Sequence, residues 1–210
     1  MWKSGKKINR KTAKKYSRIA LWYDLFEYPI ERILFQKLRA EAVSYAYKKT
    51  LEVGIGTGKN LLYYHPGIEL TAIDFSPGML RFAREKQQKV NLKQLRMYEM
   101  DVQHLTFADN TFDTVISTFV FCTVPDPIAG LREVYRVLKP SGTAVFLEHM
   151  KSRHSIVNVP LSVMNLFSTR LLGTSMVRET QKNIELTGFA IEIVRWKFLD
   201  VVRLIIAKKP

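Results

Sequence analysis

The stretch 51–58 reads LEVGIGTG, in which three glycines follow a short apolar run at every second position. Glycine has no Cβ, so its backbone can approach a ligand closely and can adopt the positive φ angles of tight turns. A loop that follows a strand and opens a helix lies where α/β sheets bind their ligands. The dinucleotide fingerprint is G-x-G-x-x-G, but here the third glycine comes one residue early and Lys59 stands in its place. The stretch therefore predicts a ligand-binding loop in an α/β sheet.

Short β-rich runs alternate with helical segments on both sides of this loop. The predicted strands are 50–53, 70–73, 95–100, 114–118, 144–147, 190–196 and 201–207, and the predicted helices are 29–45, 59–64, 79–90 and 127–138. Alternation with nearly all-apolar strands predicts a parallel sheet that is covered on both faces. Only four residues separate the last two runs, which predicts a β-hairpin. An apolar segment at 155–178 interrupts the alternation as an inserted helix or lid.

Length and cysteine content limit the classes of protein. A chain of 210 residues favours one domain, and it buries enough apolar surface to fold without a disulfide or a metal. Its one cysteine, Cys122, cannot form an internal disulfide, and we expect no metal site. The sequence contains neither a secretory signal nor an uncharged apolar run of about 20 residues. These features favour a soluble or peripheral protein of the cytoplasm.

The positive charge is concentrated at the N-terminus. The formal net charge is +14, and residues 1–19 hold eight lysines and arginines but no acid. Apolar residues recur there at helical spacing, at Ile8, Thr12, Tyr16, Ile19 and Tyr23. We expect 1–45 to form basic amphipathic helices that bind phosphates of lipid or nucleic acid, and 46–210 to form the core. An ordinary solvated tail remains the alternative for the basic end, and core packing remains the alternative for the 155–178 insert.

The glycine loop, with an acid two residues before its first glycine, resembles the first motif of class I S-adenosylmethionine (SAM)-dependent methyltransferases. Later segments resemble further motifs of this family in the same order, over roughly residues 16–150. They are Asp74 after the second run, Asp101-Val102 after the third, FDTVIS at 112–117 and LREVYRVLKPSG at 131–142. The resemblance implies an α/β fold with SAM as cofactor. The expected sheet is seven-stranded, mostly parallel and Rossmann-like, with a C-terminal antiparallel hairpin and helices on both faces.

The resemblance also implies which residues bind the cofactor. The family's acid at the position of Asp74 binds both ribose hydroxyls, and a carboxylate there can accept two charge-assisted hydrogen bonds. Glu52 would hold the methionine amino group, and an aromatic face would suit the cationic sulfonium. The full predicted set is Tyr16, Glu52, Gly54, Gly56, Gly58, Asp74, Phe75, Met79, Asp101, Val102 and Ser117.

Three further segments narrow the acceptor by resemblance. The stretch YSRIALWYD at 16–24 resembles the entry of small-lipid and quinone methyltransferases, and FCTVPDP at 121–127 and LEHM at 147–150 resemble bacterial phosphatidylethanolamine N-methyltransferases. This resemblance implies N-methylation of a membrane lipid at the inner face of the cell membrane, with an anionic membrane surface as partner and no obligate protein partner. The candidate catalytic residues are Tyr23, Glu148 and His149. Arg153, Arg170 and Arg178 are candidate ligands of the lipid phosphate because they lie beside or within the apolar 155–178 insert.

Several alternatives stay open. Quinone-ring C-methyltransferases share most of this pattern, and methylation of a thiol or another small molecule is also compatible with it. A nucleic-acid methyltransferase is disfavoured because 122–126 reads CTVPD instead of the D/N-P-P-Y/F of base-aminating enzymes, so no nucleic acid is expected as partner. A nicotinamide-dependent oxidoreductase is disfavoured by the early third glycine and the terminal hairpin. A scaffold that binds SAM without catalysis would carry the same motifs.

Overall fold

The computed structural model describes residues 35–154, 156–159, 165 and 178–210. The predicted N-terminal amphipathic helix lies outside these residues, as does most of the 155–178 insert. Tyr16, Tyr23 and Arg170 therefore remain predictions. Within the described ranges, no helix is long and apolar enough to cross a membrane.

Seven strands form one sheet, in the spatial order β3-β2-β1-β4-β5-β7-β6. Their bounds are β1 Lys49–Val53, β2 Glu69–Asp74, β3 Leu95–Glu99, β4 Phe112–Thr118, β5 Leu138–His149, β6 Ala190–Lys197 and β7 Val202–Lys208. Strands β1 to β5 are parallel, and β7 is antiparallel to both β5 and β6. The predicted mostly parallel sheet with a C-terminal hairpin is confirmed. Because β7 reverses the direction, the β6–β7 turn lies at the same edge as the carboxyl ends of β1 to β5.

Helices cover the two faces of this sheet. They are α1 Gln36–Val43, α2 Pro77–Gln87, α3 Pro127–Val137 and α4 Thr180–Leu186, with a 3₁₀ turn at Leu61–Tyr63. The starts of α2 and α3 are encoded locally. Ser76 Oγ accepts from the backbone N–H of Met79 at 3.3 Å, and Asp126 Oδ1 accepts from Ala129 at 3.0 Å. In both helices a proline follows the cap, where it needs no N–H partner.

The core consists of two layers because successive strand residues point to opposite faces of the sheet. On β5, Phe146 packs in one layer with Leu131 of α3. Its neighbours Val145 and Leu147 pack in the other layer, which contains residues of α1 and α2. The central strands β1 and β4 are therefore buried on both faces along most of their length, whereas residues of the edge strand β3 are only half-buried or exposed.

Three elements differ from the sequence expectation. The predicted helix at 59–64 is only a 3₁₀ turn, since Tyr64 is already extended at ψ 137° two residues before Pro66. Helix α4 was not expected. Strand β5 begins at Leu138, directly after α3 and six residues before the predicted start, and it includes 139–143 through a register shift against β4, with Ser141 at φ 61°. Helix α1 packs Leu38 and Ala42 into the core, while the predicted start of this helix at residue 29 lies outside the described residues and the domain division at residue 45 remains a prediction.

Candidate active site

The glycine loop after β1 needs its glycines for two different reasons. Gly54, Gly56 and Gly58 have φ angles of 66°, 56° and 80°, a region that L side chains rarely adopt. A Cβ on Gly54 would also lie 2.4 Å from Cγ2 of Val120, in the segment after β4. A Cβ on Gly56 would meet nothing within 4 Å. The loop thus packs against its neighbour at Gly54 and presents open backbone at Gly56.

Asp74 at the end of β2 ties this loop to the start of α2. Its Oδ2 accepts from the backbone N–H of Gly56 at 2.9 Å, and its Oδ1 accepts from Ser76 at 2.8 Å. Burial raises the pKa of Asp74 to about 6, although these backbone N–H groups oppose the shift. A backbone hydrogen bond from Phe75 also stabilises the carboxylate, which leaves at least one of its four lone pairs for a ligand hydroxyl.

A pocket opens at the carboxyl ends of the strands, beside Asp74. It lies at the position where open α/β sheets bind ligands. Five of the predicted cofactor residues line it, namely Gly54, Asp74, Phe75, Asp101 and Val102. The remaining lining residues were not predicted: Val53, Ile73, Met100, Val120, Thr123, Val124 and Pro125. The pocket is therefore apolar along most of its wall, with two carboxylates on its rim.

Gln103 holds Asp101 in place through its backbone and its side chain. Gln103 donates from its backbone N–H and from Nε2 to Asp101 Oδ1, both at 3.0 Å. The Oε1 of the same Gln103 accepts from the backbone N–H of Asp126, the cap of α3. This contact connects the segment after β3 to the segment after β4, so two walls of the pocket are fixed together.

Five predicted cofactor residues are described but do not line the pocket. Gly56 is one of them, and the others are Gly58, Met79, Ser117 and Glu52. Gly58 packs against α2, where a Cβ would lie 3.2 Å from Cα of Ala83. Met79 is buried in the first turn of α2, and Ser117 is buried at the end of β4. Glu52 lies on the α1 side of the sheet, 1% exposed, where Oε1 accepts from Asn60 Nδ2 at 2.8 Å.

Glu52 belongs to a buried polar network that sequence reasoning missed. Arg39 of α1 donates to Thr118 Oγ1 at 2.7 Å and to Asn60 Oδ1 at 3.3 Å. Burial raises the pKa of Glu52 to about 7, against the opposing effect of the hydrogen bond from Asn60. The network joins α1, the glycine-loop segment and β4. Its most distant pair in sequence, Arg39 and Thr118, is 79 residues apart.

Glu148 at the end of β5 fixes the segment after β4. Its Oε1 accepts from the backbone N–H groups of Val120 and Phe121, at 2.9 and 3.0 Å, and from Ser117 Oγ at 3.2 Å. Glu148 is fully buried, and burial raises its pKa to about 7. The carboxyl group therefore positions Val120, which lines the pocket and packs on Gly54.

His149 points to the opposite face of the sheet, as the alternation along β5 requires. Its ring lies 4.5 Å from the ring of Phe119 and 5.6 Å from that of Phe35, measured between centroids. Burial, followed by the charge of Arg39, lowers the pKa of His149 to about 4. The imidazole is therefore uncharged near neutral pH, and it lies in a different layer from Glu148.

The two described candidate phosphate ligands lie in different surroundings. Arg178 is half-buried, and burial lowers the pKa of its guanidinium, against the opposing effect of the neighbouring Cys122, Glu148 and Asp126. It thus lies close to the segment that lines the pocket. Arg153 donates to Asp200 Oδ2 at 3.2 Å and stacks 3.9 Å above the ring of Trp196, beside the β6–β7 turn.

The residues present fit S-adenosylmethionine. Apolar side chains of Ile73 and Val102 provide a surface for an adenine ring, and Asp74 provides a carboxylate for a ribose diol. The open space at Gly56 leaves room for the remainder of the molecule along the loop.

Comparisons with known proteins point to one family. The pattern described as a methyltransferase domain matches residues 51–146. A phosphatidylethanolamine N-methyltransferase of Cereibacter sphaeroides is 40% identical over 102 residues, which are 48% of this chain and 50% of that protein. A demethylmenaquinone methyltransferase of Thermus thermophilus is 36% identical over 140 residues, 63% of each chain. The chain thus spans between half and two thirds of these relatives.

Two further comparisons extend over more of the chain. A SAM-dependent methyltransferase structure from Thermotoga maritima superposes with a TM-score of 0.71 and 18% identity, covering 94% of this chain and 99% of that one, which shows the fold. A thiol S-methyltransferase of Homo sapiens is 32% identical over 165 residues, 76% of this chain and 67% of that protein. With the sheet order, the pocket and these relatives in agreement, the chain belongs to the class I SAM-dependent methyltransferases, and its cofactor is S-adenosylmethionine.

Proposed function

We propose that the protein transfers methyl groups from S-adenosylmethionine to the amine of phosphatidylethanolamine and of its methylated intermediates. One observation carries the choice of acceptor. Arg178 places a half-buried cation near Cys122 and Asp126, which flank the lining residues 123–125 of the pocket. A phosphodiester headgroup would pair with this cation, whereas thiols and quinone rings carry no phosphate.

The likeness to the phosphatidylethanolamine N-methyltransferase of Cereibacter sphaeroides supports the same acceptor. The match covers half of that protein, so it supports the proposal only together with Arg178. The basic N-terminal segment adds affinity for a phosphate-bearing surface, at about 1 kcal/mol for each basic residue near an anionic membrane.

The described residues act mainly by positioning. Bound S-adenosylmethionine supplies an electrophilic methyl group on a cationic sulfur. Close approach of an amine with a free lone pair is the main requirement for its transfer. Glu148 holds Val120 at the pocket, and the neutral His149 packs in an aromatic cluster with Phe35 and Phe119. The ethanolamine ammonium must lose a proton first, and Tyr23 remains the predicted acceptor or orienting group.

Methyl transfer from labelled S-adenosylmethionine to vesicles tests this proposal. We expect label in mono-, di- and trimethylated headgroups with phosphatidylethanolamine vesicles and none with vesicles that lack an amine headgroup. Arg178→Gln should raise the KM for the lipid about tenfold and leave the affinity for S-adenosylmethionine unchanged. Arg132→Gln, an exposed arginine on α3, is the matched control and should behave as the unmodified protein.

A different acceptor would give a distinct result. Methylation of a quinone or a small thiol, with no label in any phospholipid, would overturn the choice of phosphatidylethanolamine. Quinone and thiol acceptors are the alternatives. The demethylmenaquinone methyltransferase of Thermus thermophilus and the thiol S-methyltransferase of Homo sapiens match 63% and 76% of this chain, against 48% for the phosphatidylethanolamine enzyme.

A further inference from the structure

Half of the exposed large apolar side chains of the described residues lie in two neighbouring segments, near the carboxyl ends of the parallel strands. Ten such side chains are exposed in the described ranges, and five of them belong to residues 156–159 or to the β6–β7 turn region. Their exposed fractions are 88% for Ile156, 68% for Val159, 37% for Trp196, 43% for Phe198 and 70% for Leu199. We call these five residues the hairpin surface. Single exposed apolar residues are ordinary, but a cluster of them marks an interaction site.

A buried serine holds the two segments together. Ser152, 4% exposed, donates from Oγ to the carbonyl of Leu199 at 3.0 Å. Its backbone N–H donates to Asn158 Oδ1 at 3.0 Å, and Asn158 Nδ2 donates back to the Ser152 carbonyl at 2.7 Å. The helical turn at 156–159 and the hairpin turn are thus fixed against each other, and the five side chains form one surface.

The backbone of the hairpin turn is strained. Phe198, Leu199 and Asp200 have φ angles of 49°, 53° and 60°, and none of them is glycine. Left-handed conformation costs about 1 kcal/mol or more for each such residue. Asp200 is anchored because its carboxylate accepts from the backbone N–H of Arg153 at 3.0 and 3.1 Å. Leu199 stays 70% exposed in this conformation, so burial in the fold does not explain why a large apolar residue occupies this position.

The charges around the hairpin surface are positive. Lys151, Arg153 and Lys197 are exposed next to it, while the neighbouring acid Asp200 is 6% exposed and paired with Arg153. Trp196 lies under the guanidinium groups of Arg153 and Arg203, at 3.9 and 4.3 Å from their central carbons to the ring centroid. Apolar side chains at a loop tip, a tryptophan and flanking bases are the combination that binds an anionic membrane interface.

The location of this surface agrees with a role in presenting a lipid. The β6–β7 turn lies at the carboxyl edge of the sheet, as the pocket does. The ring of Phe198 is 6.1 Å from that of Phe35, which contacts His149 at 5.6 Å. A membrane that contacts the hairpin surface would therefore lie next to the acceptor side of the site.

We propose that the hairpin surface docks the protein onto anionic lipid, with Phe198, Leu199, Ile156 and Val159 inserted between headgroups and Lys151 and Lys197 on lipid phosphates. This inference deepens the proposed function, on which it rests for the identity of the acceptor. It assigns membrane contact to the C-terminal hairpin of the core, in addition to the basic N-terminus expected from the sequence.

Flotation of the full chain with vesicles of phosphatidylcholine and phosphatidylglycerol tests the docking. We expect Phe198→Ser with Leu199→Ser to weaken association about tenfold or more. The control Leu186→Ser removes an almost equally exposed leucine, 67% against 70%. This leucine ends α4 shortly before β6 begins, and so lies away from the β6–β7 turn. The control should associate as the unmodified protein does, and equal association of both variants would overturn the proposal.

Two further variants separate docking from folding and from charge. Leu199→Gly relieves the positive φ angle, so the melting temperature should stay equal or rise while association falls. Lys197→Gln should weaken association with phosphatidylglycerol vesicles but not with pure phosphatidylcholine, whereas Lys93→Gln, exposed before β3, should change neither. An unchanged association for Leu199→Gly would count against insertion of this side chain.

Activity on dispersed lipid distinguishes failure of this inference from failure of the proposed function. With short-chain phosphatidylethanolamine below its micelle concentration, the Phe198→Ser, Leu199→Ser protein should keep its methyl transfer. Transfer without vesicle binding by the unmodified protein would overturn docking alone, and vesicle binding without transfer would overturn the acceptor alone. Self-association that these substitutions abolish in the absence of vesicles would identify the surface as an interface between copies and would overturn docking.

Discussion

The protonation of Glu148 has a measurable effect on stability. Burial raises the pKa of its carboxyl from an ordinary 4.5 to about 7 in the folded protein. The folded state therefore binds the proton more tightly, so this contribution to stability is present below pH 4.5 and is lost as the pH rises to about 7. Glu148→Gln stays neutral throughout. Between pH 5 and 8 we expect its free energy of unfolding to improve relative to the unmodified protein by on the order of 2 to 3 kcal/mol.

Urea unfolding of both proteins at pH 5, 6, 7 and 8 measures this difference. Glu52 and Asp74 shift in the same direction, but they are present in both proteins and cancel in the comparison. A constant difference across this range would contradict a raised pKa at Glu148.

Gly54 allows a test in which one substitution rescues another. Gly54→Ala places a Cβ 2.4 Å from Val120 Cγ2, so we expect the alanine variant to lose affinity for S-adenosylmethionine and to be less stable. Val120→Ala removes the atoms that clash, and the double variant should regain much of the stability, with a remaining cost of about 1 kcal/mol for the φ angle. Calorimetric titration and thermal unfolding measure both effects. Strictly additive losses would show that contact with Val120 is not the cause.

Single site residues could be predicted from the sequence where they belong to a motif. Site residues that only the fold brings together could not. The glycines and Asp74 were identifiable because their spacing after a strand is specific. Val120 and Val124 were not, because apolar residues after a strand have the same sequence pattern as core residues. The contact of Arg39 with Thr118 joins residues 79 apart, and no local pattern encodes it.

Among the elements, the last turn of α3 anchors the segment that precedes β4. Arg136 donates to the carbonyls of Leu105 and Phe107, at 2.9 and 2.8 Å, and to Glu133 and Asp109. Arg136→Met leaves these carbonyls without their charged donor, so we expect the free energy of unfolding to fall by about 2 to 3 kcal/mol. Arg132→Met on the same helix should change it by less than about 0.5 kcal/mol. Similar values in denaturant titrations of the two variants would contradict a specific anchoring role.

Strands were easier to predict than the elements between them. The strands are short β-rich runs between helical segments, and each predicted strand overlaps an observed one, although β5 begins six residues earlier than predicted. The 3₁₀ turn at Leu61–Tyr63 was expected to be a longer helix because the residues favour one, but Gly58 and Pro66 leave too little chain. Helix α4 was not predicted, because its seven residues contain only two apolar residues and follow the insert directly.

For the whole molecule, cofactor binding should stabilise both layers together, since the pocket contains residues from the ends of several strands. At one hundred times its dissociation constant, S-adenosylmethionine should add about 2.7 kcal/mol to the free energy of unfolding. For a domain of this size that corresponds to a rise in melting temperature of about 5 to 10 °C. Asp74→Asn, which removes the carboxylate from the rim, should largely abolish the rise, and scanning calorimetry measures it. An equal rise in the variant would place the cofactor elsewhere.

The opposite orientation of Glu148 and His149 has a practical consequence for engineering. A sequence alignment presents them as one dipeptide, and an exchange of acceptor preference between relatives would normally transplant both. In the fold the two side chains act separately. Glu148 fixes the loop at Val120, whereas His149 packs in the aromatic cluster with Phe35 and Phe119. Position 149 can therefore be diversified in a library while Glu148 is kept, and the cofactor pocket should survive the search.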